Sequence, residues 1–300
     1  MSTTPNPTPT PVIPASPDAP EPRFAWHRDD PEARLGLGGT RFTDVRSGAW
    51  LIAAGLLTVG FYAVLTALPT SRLVNIFTQR GAVQYVTVLF FFWALLILFI
   101  KLMKVARQHA AVRYDQLVPA DPDFVLSPGT VNEVLAHLHR VCIDPAKFFL
   151  FNRIEFALSN LKNMGRISDV DDVLRSKAES DVDVMESSYT LVRGLIWAIP
   201  VLGFIGTVQG LSSSLGSFGQ VLVDTEDFAG IKPALKEVTA GLSTAFDTTF
   251  VALVAALLVQ LLLTLVRKRE EDLLDACNEY CQRHIVGRLR LTPLDADGDR

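Results

Sequence analysis

Residues 81–100 read GAVQYVTVLFFFWALLILFI and contain no charged residue. A membrane-spanning helix needs about 20 consecutive apolar residues, because the hydrocarbon core is about 30 Å thick and each helical residue rises about 1.5 Å. The stretch therefore predicts one membrane-spanning helix, bounded by Arg80 and Lys101. It decides the fold class, because only helices and closed barrels satisfy their backbone hydrogen bonds in lipid.

Three further windows have the same character. Residues 47–71 and 194–223 carry no charge, and residues 239–266 carry one acid, Asp247. Only 20% of all residues are charged, where soluble domains usually have about 25%. We therefore predict an all-α polytopic membrane protein with four transmembrane helices. The last two are expected to be long and to project into the cytoplasm.

Lysine and arginine residues cluster on one side of the predicted spans. They lie before residue 47, after residue 100 and after residue 266, whereas the two opposite connections hold few. Because positive charge marks the cytoplasmic side, we expect both termini in the cytoplasm. Residues 216–238 are then expected to form an external loop.

The sequence divides into five predicted parts. Eight of the first 22 residues are proline, a composition that cannot bury enough apolar surface to fold. The parts are a proline-rich disordered cytoplasmic tail (1–46), a transmembrane hairpin (47–105), a cytoplasmic helical insert (106–190), a second transmembrane hairpin (191–267), and a cytoplasmic C-terminal helix and tail (268–300). In the insert, three- and four-residue spacing predicts one apolar helix face, made of Phe148, Phe151, Ile154, Leu158 and Leu161.

Small residues punctuate the second hairpin. Its spans read LIWAIPVLGFIGTVQGLSSSLGSFG (195–219) and ALKEVTAGLSTAFDTTFVALVAALLVQ (234–260). Small side chains let helices approach closely in lipid, and a proline can bend a span. The residues assigned to helix packing are Pro200, Gly203, Gly206, Gly210, Gly241 and Ala245. Ordinary helix packing accounts for them without any further role.

Together with Thr207, Val208, Thr249 and residues 253–256, this pattern resembles the MotA/TolQ/ExbB proton channel family. The resemblance covers about 80 residues directly, and the spacing of the insert and the C-terminal helix agrees with it. It implies a multi-pass subunit of the bacterial plasma (inner) membrane. Threonines at the positions of Thr207 and Thr249 line the central lumen in that family, so the resemblance places them in an ion pathway.

The resemblance also implies partners. The chain would form a homo-oligomer, a pentamer, around two copies of a single-span membrane protein of the ExbD/TolR/MotB kind. The aspartate in that partner's span takes and releases the proton. The expected function is then a proton-channel subunit, ExbB/TolQ-like, that couples transmembrane ion flow to mechanical work.

One position departs from the family pattern. ExbB- and TolQ-like members carry a glutamate where this chain has Thr244, and here the acid is Asp247 instead. A carboxylate inside a membrane is costly and is a functional-site hypothesis by default. Asp247 is assigned to the ion pathway. An interfacial hydrogen bond and a position at the end of the helix stay open as alternatives.

Other classes of function find no support in the sequence. No basic field marks a nucleic-acid binder, and no motif indicates an enzyme, a cofactor or a metal site. Cys277, Cys281 and His284 share one helix face, which predicts a packing surface rather than zinc ligands. Two alternatives to the ExbB/TolQ-like function remain: a flagellar-stator subunit of the MotA kind, which four spans favour, and a non-conducting membrane scaffold, which the missing acid at Thr244 favours.

Overall fold

The computed structural model describes residues 23–69, 72–78, 81–114, 117, 126–127, 129–161, 167–224 and 228–290. Two isolated bridges, Phe24 with Cys142 and Leu126 with Leu289, are the only extended pairings within these ranges. The helices are α1 (Trp26–Asp29), α2 (Pro31–Arg34), α3 (Ser47–Ala67), α4 (Arg72–Thr78), α5 (Ala82–Val112), α6 (Val131–Val141), α7 (Phe149–Asn160), α8 (Ile167–Ser188), α9 (Thr190–Asp224) and α10 (Phe228–His284).

Four of these helices are long and apolar enough to cross a membrane. The candidate spans lie in α3, in α5, in α9 with the preceding α8, and in α10. Their outer surfaces are apolar: on α3, Ile52, Leu56 and Val59 are 69%, 71% and 68% exposed. Such surfaces suit lipid rather than water. The predicted all-α fold with four transmembrane helices is confirmed.

The last two spans belong to helices longer than the bilayer. Helix α10 has 57 residues, about 85 Å at a rise of about 1.5 Å per residue. Only Tyr189 separates α8 from α9. The expected loop at 216–238 is wrong, because residues 216–224 and 228–238 are helical. The charges that end an apolar window mark the edge of the hydrocarbon, whereas a helix continues until its backbone is broken.

The spans form one bundle. Helix α5 packs against both α9 and α10, and α3 packs on α5. We call the end where α5 ends and α9 begins the insert end, and the opposite end the loop end. At the insert end, α6, α7, α8 and the last part of α10 share a core that includes Cys277 and Cys281. The five residues of the predicted apolar face in the insert are at most 1% exposed.

The boundary predicted at residue 46 needs a correction. Residues 1–22 lie outside the described part of the chain. Residues 23–46 are folded: Phe24, Trp26 and Phe42 are 8%, 0% and 3% exposed. Phe42 stacks on Phe149 with ring centroids 4.2 Å apart. The proline-rich composition is therefore confined to the first 22 residues, whereas residues 23–46 are packed on the bundle through buried aromatic side chains.

Candidate ion pathway

Helices α9 and α10 touch through small residues. A β-carbon added at Gly203 would lie 2.5 Å from Ala252 Cβ, and one added at Gly206 would lie 2.8 Å from Thr248 Oγ1. Real β-carbons do not come so close to other atoms. Gly203 therefore requires glycine for the two backbones to approach as they do, and at Gly206 a larger residue would displace the Thr248 side chain.

The same close packing continues toward the loop end. A β-carbon at Gly210 would lie 3.1 Å from the carbonyl oxygen of Gly241, and one at Gly241 would overlap Ser214. Ser214 donates a hydrogen bond to the Gly210 carbonyl at 2.8 Å. The α9–α10 contact thus includes five of the six predicted packing residues: Gly203, Gly206, Gly210, Gly241 and Ala245, the last of which is fully buried.

Thr207 and Thr249 meet across this contact. Their hydroxyl groups are hydrogen-bonded to each other. Thr207 Oγ1 lies 3.1 Å from the carbonyl oxygen of Ala245 on α10. Thr249 Oγ1 lies 3.3 Å from the carbonyl oxygen of Gly203 on α9. Each threonine therefore reaches the backbone of the other helix, and the pair joins the two spans at one level.

The threonine pair has more acceptors than donors. Each hydroxyl also lies close to the carbonyl four residues before it: Thr207 to Gly203 at 3.2 Å and Thr249 to Ala245 at 3.1 Å. A hydroxyl has one hydrogen and two lone pairs, so the two hydrogens serve several alternative acceptors. Both side chains are half-buried. Such a pair can exchange hydrogen bonds with a donor that approaches from the exposed side.

Asp247 lies on a different face of α10. It is two residues from Thr249, a rotation of about 200° on a helix. It shares its face with Val251 and Val254, which line a crevice of about 310 Å³ between α10 and helices α3, α4 and α5. Asp247 is half-buried. The structure thus brings Thr207 and Thr249 together and places Asp247 on the opposite side of the helix.

The position of the family glutamate is occupied by a short hydroxyl. Thr244 donates to the carbonyl of Ala240 at 3.0 Å, one turn back on its own helix.

Pro200 lies inside α9 without ending the helix. Because proline lacks an N–H group, it removes one backbone hydrogen bond from that turn.

Two residues of the contact were missed by the sequence reasoning. Thr248 is 1% exposed and donates to the Ala245 carbonyl at 3.0 Å. Ser214 is 5% exposed. The signal was present for Ser214, which continues the three- and four-residue spacing of Gly203, Gly206 and Gly210. Thr248 could not be singled out in this way, because it is one of three consecutive polar residues, Asp247, Thr248 and Thr249, which lie on three different faces of the helix.

Cys277, Cys281 and His284, the residues considered as zinc ligands, lie at the insert end. Among the residues that the structure describes, no group of three or more His, Cys, Asp or Glu side chains could hold a metal ion. Cys277 and Cys281 are buried, and the ring of His284 stacks on Tyr280 with centroids 4.4 Å apart. These side chains serve the core between α10 and the insert.

Residues 146–279 match the model of the MotA/TolQ/ExbB proton channel family. The matched segment contains the whole α9–α10 contact and leaves α3 and α5 outside. Comparisons with curated proteins and with solved structures find no match. The family consists of membrane proton channels and is not enzymatic, which confirms the expectation that the chain is not an enzyme. Residues 146–279 are thus identified as a region of the MotA/TolQ/ExbB proton channel family.

Proposed function

We propose that this chain is the ring-forming subunit of an ion-driven membrane motor of the ExbB/TolQ kind. Family membership implies partners of the ExbD/TolR/MotB type. In the proposed complex, five copies surround two copies of one single-span partner in the bacterial inner membrane, with both termini of each copy in the cytoplasm. A proton that crosses the membrane releases about 2.3 kcal/mol per 100 mV, and this energy drives motion between ring and partner.

The threonine pair is the observation that carries the proposal. Thr207 and Thr249 are half-buried, bonded to each other and surrounded by backbone carbonyls. An aspartate on a partner helix needs hydrogen-bonding groups that serve both its protonated and its ionised form. Hydroxyls meet this need because they donate and accept. The pair therefore suits the wall of a proton pathway, with the partner supplying the titrating group.

The outer surfaces of α9 and α10 support an assembly of copies. Exposed apolar side chains follow each helix at three-, four- and seven-residue spacing. On α9 they are Trp197, Phe204, Val208 and Leu215, and on α10 they are Leu242, Phe246, Phe250, Leu253, Leu257, Leu261 and Leu265. Stripes with this spacing fit the packing of neighbouring helices. The stripes are therefore the surfaces that we assign to contacts between copies and with lipid.

Asp247 is assigned a supporting role in the same process. It faces the crevice side of α10 rather than the threonine pair, so a direct place in the same lumen does not suit it. A carboxylate within an apolar span is retained against a free-energy cost. We infer that it contributes to ion entry or to coupling between copies.

Proton flux through a defined hydroxyl tests this function. The complex is purified with its partner, reconstituted into liposomes, and assayed with a pH-sensitive dye under an imposed membrane potential. We expect Thr249→Val to lower proton uptake at least about tenfold, which corresponds to a barrier higher by about 1.4 kcal/mol. Thr264→Val is the matched control, since Thr264 is an exposed threonine on the same helix whose hydroxyl bonds the Gln260 carbonyl at 2.9 Å. Equal uptake in wild type and Thr249→Val contradicts the pathway.

A flagellar-stator function of the MotA kind is the second candidate. The four spans favour it, because the ExbB pattern has three. Identification of a partner that binds peptidoglycan outside the membrane would distinguish a stator from an ExbB/TolQ-like complex.

A non-conducting membrane scaffold is the third candidate function. It is supported by the hydroxyl of Thr244 at the position where an acid is expected. Absence of proton uptake by the intact wild-type complex would favour that reading.

A further inference from the structure

One buried carboxylate joins four parts of the chain at the insert end. Glu270, on α10 just beyond the apolar span, is 0% exposed. Its Oε2 accepts from Lys101 Nζ at 3.1 Å and from the Tyr189 hydroxyl at 2.5 Å. Its Oε1 accepts from the hydroxyl of Thr43. Helix α5, the α8–α9 joint and the segment before α3 therefore all bond to a single side chain of α10.

The cation in this group is as deeply buried as the anion. Lys101 is 0% exposed, and its ammonium lies 3.4 Å from the Thr43 carbonyl and 4.2 Å from the ring centroid of Tyr189. Two buried opposite charges in contact tolerate each other, but either one alone would be an unpaired charge in an apolar core. Removal of either charge alone is therefore expected to destabilise the group.

A second group binds the same N-terminal segment one turn along α5. Lys104 Nζ lies 2.5 Å from Glu32 Oε2 and 3.4 Å from Asp30 Oδ1. Glu32 also accepts from the indole N–H of Trp50 at 2.8 Å. All three ionisable side chains are at most 1% exposed. Residues 23–46 are therefore attached to α5 at two levels, by buried ion pairs at Lys104 and by hydrogen bonds between Thr43 and Lys101.

Aromatic contacts extend the attachment to the insert. Trp26 meets Phe148 edge-on with ring centroids 5.0 Å apart, and Phe42 stacks on Phe149. Both phenylalanines lie inside the segment that matches the family model, 146–279, whereas residues 23–46 lie outside it. The N-terminal segment is thus an addition to the family region and is packed on it.

We propose that residues 23–46 form an intramolecular clamp that fixes α10 and the α8–α9 joint where the spans end, with Glu270 as the positioning residue for the threonine pair. The inference rests on the proposed ion-driven function for its purpose, though not for its geometry. Helix α10 is continuous from Thr249 to Glu270, a distance of about 30 Å along the helix. A shift or rotation of α10 at Glu270 therefore moves Thr249 relative to Thr207.

Charge rescue tests the clamp. Glu270→Gln keeps the length of the side chain and one acceptor oxygen, which can serve Thr43 or Tyr189 but not both, and it leaves the Lys101 ammonium buried without a counter-charge. The double variant Lys101→Met/Glu270→Gln removes both charges and keeps the volume, a change that buried ion pairs usually tolerate. Glu271→Gln is the matched control, because Glu271 is the next residue and its side chain is 38% exposed in a pair with Arg267.

Two readouts report on the clamp without requiring ion flow. The first is the rate of trypsin cleavage between Arg41 and Phe42, since Phe42 is 3% exposed and must leave its site before cleavage. The second is disulfide formation in a chain that carries Thr207→Cys and Thr249→Cys, which reports the alignment of α9 and α10.

We expect Glu270→Gln to raise the cleavage rate at least about tenfold, since opening frees a buried unpaired charge. The disulfide should form several times more slowly. The double variant should restore both rates, and Glu271→Gln should leave them unchanged. Unchanged rates in Glu270→Gln, or no recovery in the double variant, overturn the clamp.

A milder variant covers the case in which Glu270→Gln fails to fold. Thr43→Val removes one hydrogen bond to Glu270 and leaves the ion pair intact, so a threefold to tenfold rise in cleavage is expected for a loss of about one hydrogen bond. A cleavage rate in Thr43→Val equal to that of the wild type contradicts the clamp. Proton uptake by the same variants is measured separately. If the wild-type complex takes up no protons, the proposed motor function is refuted. The cleavage and disulfide rates still test the clamp in that case, because neither depends on proton flow.

Discussion

The hydroxyls of Thr207 and Thr249 bond to each other across the α9–α10 contact, and each reaches a carbonyl on the opposite helix. The exchange is reciprocal: Thr207 approaches Ala245, and Thr249 approaches Gly203. Gly203 also packs against Ala252, whose Cβ would lie 2.5 Å from a β-carbon added at Gly203. The residues that bring the helices together are therefore the same ones that supply acceptors to the threonines.

Enlarging Gly203 should separate the two helices. In Gly203→Ala the new methyl group would lie 2.5 Å from Ala252 Cβ, and overpacking of this kind destabilises by about 1–3 kcal/mol. We expect a lower midpoint of thermal denaturation for the detergent-solubilised protein. Gly216→Ala is the control, because a β-carbon there meets nothing within 4 Å and alanine favours a helix by up to about 1 kcal/mol. The same midpoint for both variants contradicts the close contact.

The two threonines should depend on each other energetically. Thr207→Val, Thr249→Val and the double variant form a cycle in which each single change already removes the shared bond. We expect a coupling free energy of about 0.6 kcal/mol, the average for hydrogen bonds between membrane helices. It is measured as the free energy of unfolding in mixed micelles. A cycle of Thr249→Val with Thr264→Val should give no coupling, since Thr264 is exposed and bonds its own helix. Equal values in the two cycles argue against the pair.

Asp247 and Thr249 should act independently. They project from α10 about 200° apart, so their functional effects are expected to add within about 0.5 kcal/mol. We expect Asp247→Asn to lower proton uptake while the partner stays bound, and Asp247→Asn/Thr249→Val to lower it by the product of the single effects. The measurement is proton uptake by reconstituted complexes. A double variant no worse than either single one places both residues in one step instead.

The N-terminal segment should weaken as the pH rises. Burial raises the pKa of Asp30 above its ordinary 3.8, although Lys104 opposes the shift. For Glu32, burial also acts to raise the pKa, but hydrogen bonds and the charge of Lys104 hold it below its ordinary 4.5. A raised carboxyl pKa stabilises the folded state below the unfolded pKa, and this stabilisation is lost as the pH rises through the folded value. The pKa of Glu32 is lowered, so its contribution to stability has the opposite pH dependence: it is present at neutral pH and is lost as the pH falls.

The variant Asp30→Asn isolates the first effect. Asparagine keeps an acceptor for the Glu32 amide, which Asp30 Oδ1 binds at 3.1 Å, and it carries no charge. We expect it to be more stable than wild type above the raised pKa and to show a smaller loss of stability with rising pH. The measurement is the free energy of unfolding as a function of pH. Asp272→Asn, at an exposed pair with Lys268, should follow wild type, and parallel pH curves for Asp30→Asn and wild type contradict the assignment.

The membrane spans could be predicted because lipid imposes a simple rule on sequence. A span must be apolar for about 20 residues, so windows such as 81–100 are visible without any knowledge of their neighbours. The glycines of α9 followed from the same logic, since small residues at three- and four-residue spacing mark close packing. The ends of α9 and α10 could not be read from the charges, because helix and hydrocarbon end at different residues.

The clamp could not be predicted, because its contacts join distant parts of the chain. Lys101 and Glu270 are 169 residues apart, and Lys104 and Glu32 are 72 apart. In the sequence, Lys101 and Lys104 were only part of the positive charge that follows residue 100, and no pattern there indicated Glu270 or Glu32 as their partners. The helices of the segment have four residues each, too few to show a periodic pattern. The direction of Asp247 relative to Thr249 was predictable from helix geometry, whereas the crevice on that side of α10 depends on how α4 and α5 pack.

The composition of the native complex tests the central claim most directly. The tagged chain is extracted from membranes in mild detergent, and its native mass is measured together with the identity of the proteins bound to it. We predict five copies of this chain with two copies of a single-span protein that carries an aspartate within its span. A monomer, or a ring that holds no such partner, would contradict the motor.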